Sequence, residues 1–282
     1  MQSEEHFIVG SDGNQLYTKI WLPTTKQIKA IIVLVHGLGE HCGRYQNLLE
    51  VLLPMGFAVY AIDHHGHGQS AGLRVYTNRF GRFVDDVDMV VERAKKQHPE
   101  CPIYMIGHSM GGLIASQYLL RFQSKLAGAV LSAPAIKPPT QISPLLIKLG
   151  KYIAAIAPKL RAVPLDISGL SRDPKVIELY MADPLVHSGN VTAGLSRQIQ
   201  LAMEEVERSA HTIQCPLLVL QGSQDRLVNP LGAKALVSLS SSTDKTLLEY
   251  QGLYHELFNE PEKEQVLSDV SSWLENQLET SP

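Results

Sequence analysis

The sequence predicts an α/β fold: a mostly parallel central sheet with helices on both faces and an inserted helical segment in the middle of the chain. Three observations predict it. The runs Ala30 to Val35, Ala58 to Ile62, Ile103 to Ile106, Gly128 to Leu131 and Leu217 to Leu220 are near-continuously apolar, as strands covered on both faces are. Between them, amphipathic stretches of helical period occupy Tyr45 to Leu53, Phe80 to Gln97 and Met110 to Phe122. The alternation then stops between about Ala135 and Ala210, where Pro134, Pro138, Pro139 and Pro144 lead into helical pattern without buried-strand runs, and it resumes at Pro216.

Taken in order, the chain opens as a hairpin. An apolar segment around Phe7 to Val9 is followed by the turn signal Ser11-Asp12-Gly13-Asn14 and a second strand from Leu16 to Leu22, ended by Pro23. The alternating core is expected over 1–135 and 211–282, with the helical cap inserted at 136–210. Within the cap, Leu145 to Ile156 reads as a helix with Lys148 and Lys151 on one face. Leu146, Leu149 and Ile153 fall largely on another, with Ile156. That face either packs on the core or walls an apolar acyl site and dips into lipid, its lysines toward head groups. The core ends with the run Thr246 to Tyr250 and a C-terminal helical stretch.

Composition narrows the partners. A chain of 282 residues, 44% hydrophobic and 19% charged, buries a core without help from metals or disulfides. A net charge of −3 gives no electrostatic reason to expect nucleic acid. Cys42, Cys101 and Cys215 are an odd set without paired spacing, so free thiols are expected. The acidic start Met1-Gln2-Ser3-Glu4-Glu5-His6 lacks the basic and apolar parts of a secretory signal. No apolar run reaches the ~18 residues of a spanning helix. The expected location is cytoplasmic, with peripheral contact to a membrane surface through the cap.

The chemistry is concentrated in Gly107-His108-Ser109-Met110-Gly111-Gly112, a G-x-S-x-G turn with an apolar run before it and a helical pattern after it. That context places a nucleophilic serine on a sharp strand-to-helix turn, clear of the sheet. Chain order supplies its partners, because this fold places the acid after the serine and the histidine last. Beyond Asp225 only His255 remains among the 11 histidines. Of the aspartates between Ser109 and His255, Asp166, Asp173 and Asp183 fall in the cap and Asp244 in a polar turn. Asp225 follows the buried run Leu217 to Leu220, at the sheet edge where ligands gather. The expected triad is Ser109, His255 and Asp225. The loop Val35-His36-Gly37-Leu38-Gly39 is placed to give the second oxyanion donor, so the backbone N–H groups of Leu38 and Met110 are the expected pair.

Asp63-His64-His65-Gly66-His67-Gly68-Gln69-Ser70 carries three histidines but lacks ligand spacing on a rigid element. It reads as a tight structural turn, not a metal site, and no metal or cofactor is expected.

These residues resemble the monoacylglycerol lipases within the α/β-hydrolases. The resemblance rests on His36-Gly37-Leu38-Gly39-Glu40-His41 with Arg44-Tyr45, on Asp63-His64 with Gly66-His67-Gly68-Gln69-Ser70, and on Gly107 to Gly112. It continues through Leu170-Ser171-Arg172, Asp183-Pro184-Leu185, Gln221-Gly222-Ser223 with Asp225-Arg226, and Tyr254-His255. It therefore covers core and cap alike. The resemblance implies an α/β-hydrolase fold and release of fatty acid and glycerol from a monoacylglycerol or similar single-chain lipid ester. One departure is Leu38, where the familiar form has alanine; its side chain is expected to narrow the pocket beside the oxyanion hole. A lysophospholipase, a general carboxylesterase or an aminopeptidase on the same triad remain alternatives. So does a ligand-binding protein that has lost catalysis. Serine at the elbow disfavours dehalogenases and epoxide hydrolases, which use aspartate there.

Overall fold

The computed structural model describes residues 2–23, 25, 27–139 and 144–280, with the side chains of 144–149 and 280 outside the described set. The strands are β1 (Gln2–Val9), β2 (Gln15–Leu22), β3 (Ala30–Val35), β4 (Phe57–Ile62), β5 (Ile103–His108), β6 (Gly128–Ser132), β7 (Arg161–Val163), β8 (Val191–Thr192), β9 (Leu217–Gly222) and β10 (Lys245–Tyr250). The helices are α1 (Gln46–Leu52), α2 (Gly81–Gln97), α3 (Met110–Phe122), α4 (Pro144–Ile156), α5 (Pro174–Ala182), α6 (Ala193–Ser209), α7 (Leu231–Leu239) and α8 (Lys263–Thr280).

Eight strands form one sheet in the order β1-β2-β4-β3-β5-β6-β9-β10. Strand β2 runs antiparallel to both neighbours, and the pairings from β4 to β10 are parallel. The parallel strands read as unbroken apolar runs because the side chains pointing each way are buried. Ile31, Val33 and Val35 enter one core cluster, shared with α2, α3, α6 and α7. Ala30, Ile32 and Leu34 enter the other, shared with α1 and α8. Each fully buried Leu or Ile contributes roughly 1.5–3 kcal/mol of transfer free energy. The register is therefore fixed: a one-residue slip would exchange the two sets of side chains.

Because β4 and β5 lie on opposite sides of β3, the connections leaving β3 and β5 diverge and open a crevice at their carboxyl ends, where open α/β sheets bind ligands. Between β6 and β9 the chain leaves the sheet through α4, β7, α5, β8 and α6. The sequence reading missed β7 and β8, which pair as a separate antiparallel ribbon. With three and two residues they are too short to show a period-2 pattern. Helix α6 starts at Thr192, whose hydroxyl oxygen accepts the Leu195 N–H while the hydroxyl donates to the Val75 carbonyl. Helix α5 starts at Asp173, whose carboxylate accepts the Lys175 N–H, with Pro174 in the first turn.

The turn after β4 is tied down by Asp63. Its Oδ1 accepts the Cys42 N–H at 2.9 Å and its Oδ2 the Gln69 N–H at 2.8 Å. Around it, His36, His64 and His67 pack ring to ring beside Phe83. Nε2 of His36 accepts the His64 N–H at 2.9 Å and Nδ1–H donates to the Gly37 carbonyl at 2.7 Å, so this ring is neutral. Burial lowers all three pKa values, to about 3 for His64, about 4 for His67 and well below the ordinary 6.5 for His36. Among the described residues no group of three or more His, Cys, Asp or Glu is placed to hold a metal.

A histidine kept neutral in the folded state takes up its proton only on unfolding. Above about pH 6.5 both states are neutral and nothing is lost; below it, stability falls until the folded-state pKa is reached. Each such histidine costs about 1.4 kcal/mol per pH unit in that window. Urea unfolding at a series of pH values should therefore show stability dropping steeply from pH 6.5 toward 4. A flat profile across that window would contradict buried neutral histidines.

Candidate active site

Ser109 sits between β5 and α3 with φ 56° and ψ −119°, in a region L-residues rarely occupy. Such a backbone costs on the order of 1–3 kcal/mol and persists only where its surroundings hold it. Three hydrogen bonds do so here. The Ser109 N–H donates to the Ser132 carbonyl at 3.0 Å, while the Ser109 carbonyl accepts from the Leu113 and Ala135 N–H groups at 3.1 and 3.0 Å. The flanking glycines are steric requirements. A Cβ at Gly107 would lie 2.5 Å from the Gly111 carbonyl oxygen, and one at Gly111 would collide with the Val35 carbonyl. His108 and Met110 are buried, whereas Ser109 between them is only half-buried, so its hydroxyl remains reachable.

Asp225 and His255 are brought together from the loops after β9 and β10. Nδ1–H of His255 donates to Asp225 Oδ2 at 2.7 Å. Asp225 also accepts from Gln221 Nε2 at 3.1 Å, from the Leu227 N–H at 2.8 Å and from the Val228 N–H at 3.1 Å. Burial opposes its ionisation, but the His255 charge and these donors win and keep its pKa below the usual carboxylate value. Burial likewise opposes a charged His255, yet Asp225, with help from Glu256 and Glu40, raises its pKa above 6.5. With Nδ1 committed to the aspartate, Nε2 is left as the free base.

The ring of His108, the residue before the serine, lies 4.8 Å from that of His255, centroid to centroid. Burial, then the neighbouring His255, lowers the His108 pKa to about 3, so it adds no competing charge. The loop after β3 comes from the other side: a Cβ on Gly37 would stand 3.2 Å from the Ser109 Cβ. Gly37 therefore lies beside the serine, which Met110 follows in the chain. The Met110 N–H opens α3 and has no acceptor within the helix. The Leu38 N–H makes no hydrogen bond among the described residues. The Leu38 side chain is half-buried and packs against the core.

The segment between β6 and β9 is bonded to this loop. The His187 N–H donates to the Gly39 carbonyl at 2.7 Å, and His41 Nε2 lies 2.9 Å from Asp183 Oδ2. The Glu256 N–H donates to the Leu170 carbonyl at 2.7 Å, tying the histidine-bearing loop to the same segment. Of the acyl-site candidates, Ile153 is half-buried on α4, and the side chains of Leu146 and Leu149 lie outside the described set. Lys151 is engaged on α6, with Nζ 3.5 Å from Glu204 Oε1, so it is not simply turned to solvent.

Sequence reasoning assigned no role to the ion network beside the triad. Arg44 is clamped between Glu40 and Glu256, all three side chains at least nine-tenths buried. The visible signals were the i,i+4 spacing of Glu40 and Arg44 and the position of Glu256 next to His255; their meeting is a tertiary fact. The network borders a small cavity of about 10 Å³, lined by Tyr45, His108, Phe258 and Asn259 as well as the three charged residues.

The comparisons with known proteins agree with this geometry. The family model described as serine aminopeptidase, S33, matches residues 26–262. A monoacylglycerol lipase of Mycolicibacterium smegmatis is 39% identical over 97% of this chain and 98% of its own length. The human monoglyceride lipase is 36% identical, covering 97% of this chain and 91% of that protein. The crystal structure of the Paleococcus ferrophilus monoacylglycerol lipase, 34% identical, superposes with a TM-score of 0.85 over 93% of this chain and 99% of that one. The chain therefore belongs to the serine aminopeptidase S33 family of α/β-hydrolases, in the branch that contains the monoacylglycerol lipases.

Proposed function

We infer that this protein is a serine hydrolase that cleaves monoacylglycerols to free fatty acid and glycerol. The single observation that carries the chemistry is the buried Asp225–His255 pair at 2.7 Å beside a serine held at φ 56°. The substrate class rests on relatives, at 36–39% identity over nearly the whole chain, that carry the monoacylglycerol lipase name.

In this reading His255 Nε2 takes the Ser109 proton as Oγ attacks the ester carbonyl. The Leu38 and Met110 N–H groups receive the developing oxyanion, each such donor stabilising the transition state by ~3–4 kcal/mol. His255 returns the proton to the departing glycerol. Water, deprotonated by the same histidine, then splits the acyl-enzyme and frees the fatty acid. Asp225 holds the tautomer and stabilises the imidazolium. No step calls for a metal or cofactor.

Residues 136–210 act as the cap, with Leu146, Leu149 and Ile153 on the acyl side and peripheral contact to a lipid surface. Tyr152 and Ile156, one turn apart on α4, are 63% and 86% exposed and support that contact. No helix among the described residues is long and apolar enough to cross a membrane. The aminopeptidase alternative finds little support, since capturing a substrate amine needs an uncommitted acid. Glu40 and Glu256 are tied by Arg44, Glu205 accepts from Gln117, and Glu204 and Glu207 face Lys151 and Lys137.

The primary test is product release from 1-monooleoylglycerol against di- and trioleoylglycerol, lysophosphatidylcholine and aminoacyl amides. Preference for the monoglyceride is expected; preference for any other class would overturn the substrate reading. Ser109→Ala should lower kcat on the order of 10⁶-fold and Asp225→Asn on the order of 10⁴-fold, both leaving the fold intact by circular dichroism. Near-normal esterase activity in the alanine variant would remove Ser109 from the mechanism. Leu146→Asp with Ile153→Asp should impair long-chain substrates more than short ones, and equal losses on both would count against an acyl role for α4.

A further inference from the structure

The hydrolysis above has no step for Glu40, Arg44 or Glu256, although they are buried against the site. The contacts are specific. Arg44 Nη1 donates to Glu256 Oε1 at 2.6 Å and Nη2 to Oε2 at 2.9 Å, while Nη1 also reaches Glu40 Oε2 at 3.0 Å. Glu40 Oε1 accepts the Gly37 N–H at 2.6 Å and the Tyr45 hydroxyl at 2.7 Å. Glu256 Oε2 accepts from Asn259 Nδ2 at 2.8 Å. The guanidinium lies over the ring of Tyr180 on α5, which closes it off from solvent.

Burying such a group is poor value as stability alone. Desolvating two carboxylates and a guanidinium costs several kcal/mol per ion, and replacing buried ion pairs with apolar residues is often neutral or better. What the arrangement does supply is connection and field. Glu40 belongs to the loop that carries the Leu38 donor and holds the Gly37 N–H within it. Glu256 is the residue after His255. Arg44 holds Glu256 through two bonds and Glu40 through one, and burial raises the Glu40 pKa above the usual glutamate value while Arg44 lowers that of Glu256.

We propose that Glu256 is a positioning residue for His255: through Arg44 and Glu40 it fixes the histidine loop to the oxyanion loop, and it sets a second negative field on the imidazolium beyond that of Asp225. The inference rests on His255 being the base of the reaction. The charged and titratable groups facing the imidazole come from four directions. Asp225 lies in the loop after β9, and His108 stands at the end of β5 and is neutral. Glu40 and Arg44 come from the segment after β3, and Glu256 from the histidine's own loop. Asp225 and Glu256, whose pKa values are lowered, face the imidazole as carboxylates, with Arg44 opposing them. Burial opposes the charge on His255; Asp225 raises its pKa most, and Glu256 and Glu40 act in the same direction. Burial also opposes ionisation of Glu256, but Arg44 holds its pKa below the usual glutamate value, so its charge is present across the working range.

The test is the pH dependence of kcat/KM on a short, soluble ester in the wild type and Glu256→Gln. Since His255 must be unprotonated to act as base, its titration sets the acid limb. The wild-type limb should lie above 6.5. Glu256→Gln should move the limb down by at least about half a pH unit. It should also lower the plateau kcat about tenfold with little change in KM, as loss of an interaction made in the transition state does. Lower kcat with coincident limbs would mean a merely structural role and would overturn the proposal, as would a wild-type limb below 6.5. The wild-type limb decides it if Glu256→Gln does not fold. Retained activity in Ser109→Ala or His255→Ala would instead overturn the triad reading on which it rests.

Discussion

The backbone of Ser109 is held at a positive φ by contacts from β6, from the segment that follows it and from the first turn of α3. Much of the site depends on that constraint. It lifts the hydroxyl off the sheet and opens α3 with its first N–H groups beside the same atom. It also requires the Gly111 backbone to lie against the Val35 carbonyl, which brings the loop after β3 within reach. The strain cannot relax locally, because the holding groups come from β6, from the segment that follows it and from α3. A local cost of a few kcal/mol is thus carried by a core in which strand side chains are buried toward both faces.

Electrostatics add a second layer of constraint. In a low-dielectric interior, an ionised group survives only with partners, and the site shows both outcomes. Asp225 keeps its charge through three N–H donors and an imidazole. Glu256 keeps its charge through a bidentate arginine. His36, His64, His67 and His108, which lack acidic hydrogen-bond partners, are held neutral. The contrast with His255 is instructive. All five rings are buried, and the one that pairs with a carboxylate is the one whose pKa rises. Burial alone therefore does not make a base here; the partner does.

Much of this was legible in the sequence, for physical reasons. The five apolar runs became strands because two-sided burial erases polar alternation, and that leaves a signal a linear reading can see. β5 and β9 extend past their runs to His108 and Gly222, since pairing continues where hydrophobicity stops. Asp225 and His255 were identified by chain order after an unambiguous elbow, and their meeting at 2.7 Å follows from adjacent, parallel β9 and β10 ending at one edge. What was hidden had no local signature. Glu40 and Glu256 are far apart in sequence and meet only through Arg44. The ribbon of β7 and β8 is too short for a pattern. The neutral state of His36 depends on the backbone N–H of His64, which no composition or spacing announces.

The cap joins these layers. Its segment around Leu170 to His187 contacts the loop after β3 through the Gly39 carbonyl and the His41–Asp183 pair, and the loop after β10 through the Glu256 N–H. Tyr180 covers the guanidinium that ties those two loops together. Any displacement of this segment would therefore disturb the loop after β3, the loop after β10 and the solvent shielding of Arg44 at once. By contrast, α4 presents Tyr152 and Ile156 to solvent, and its Lys151 faces α6. The insertion thus has two unlike parts. One is fastened to the chemistry; the other offers an apolar surface outward. The exposed side of α4 and the contacts made to the loops after β3 and β10 therefore lie on separate parts of the insertion, so a change in one need not displace the other.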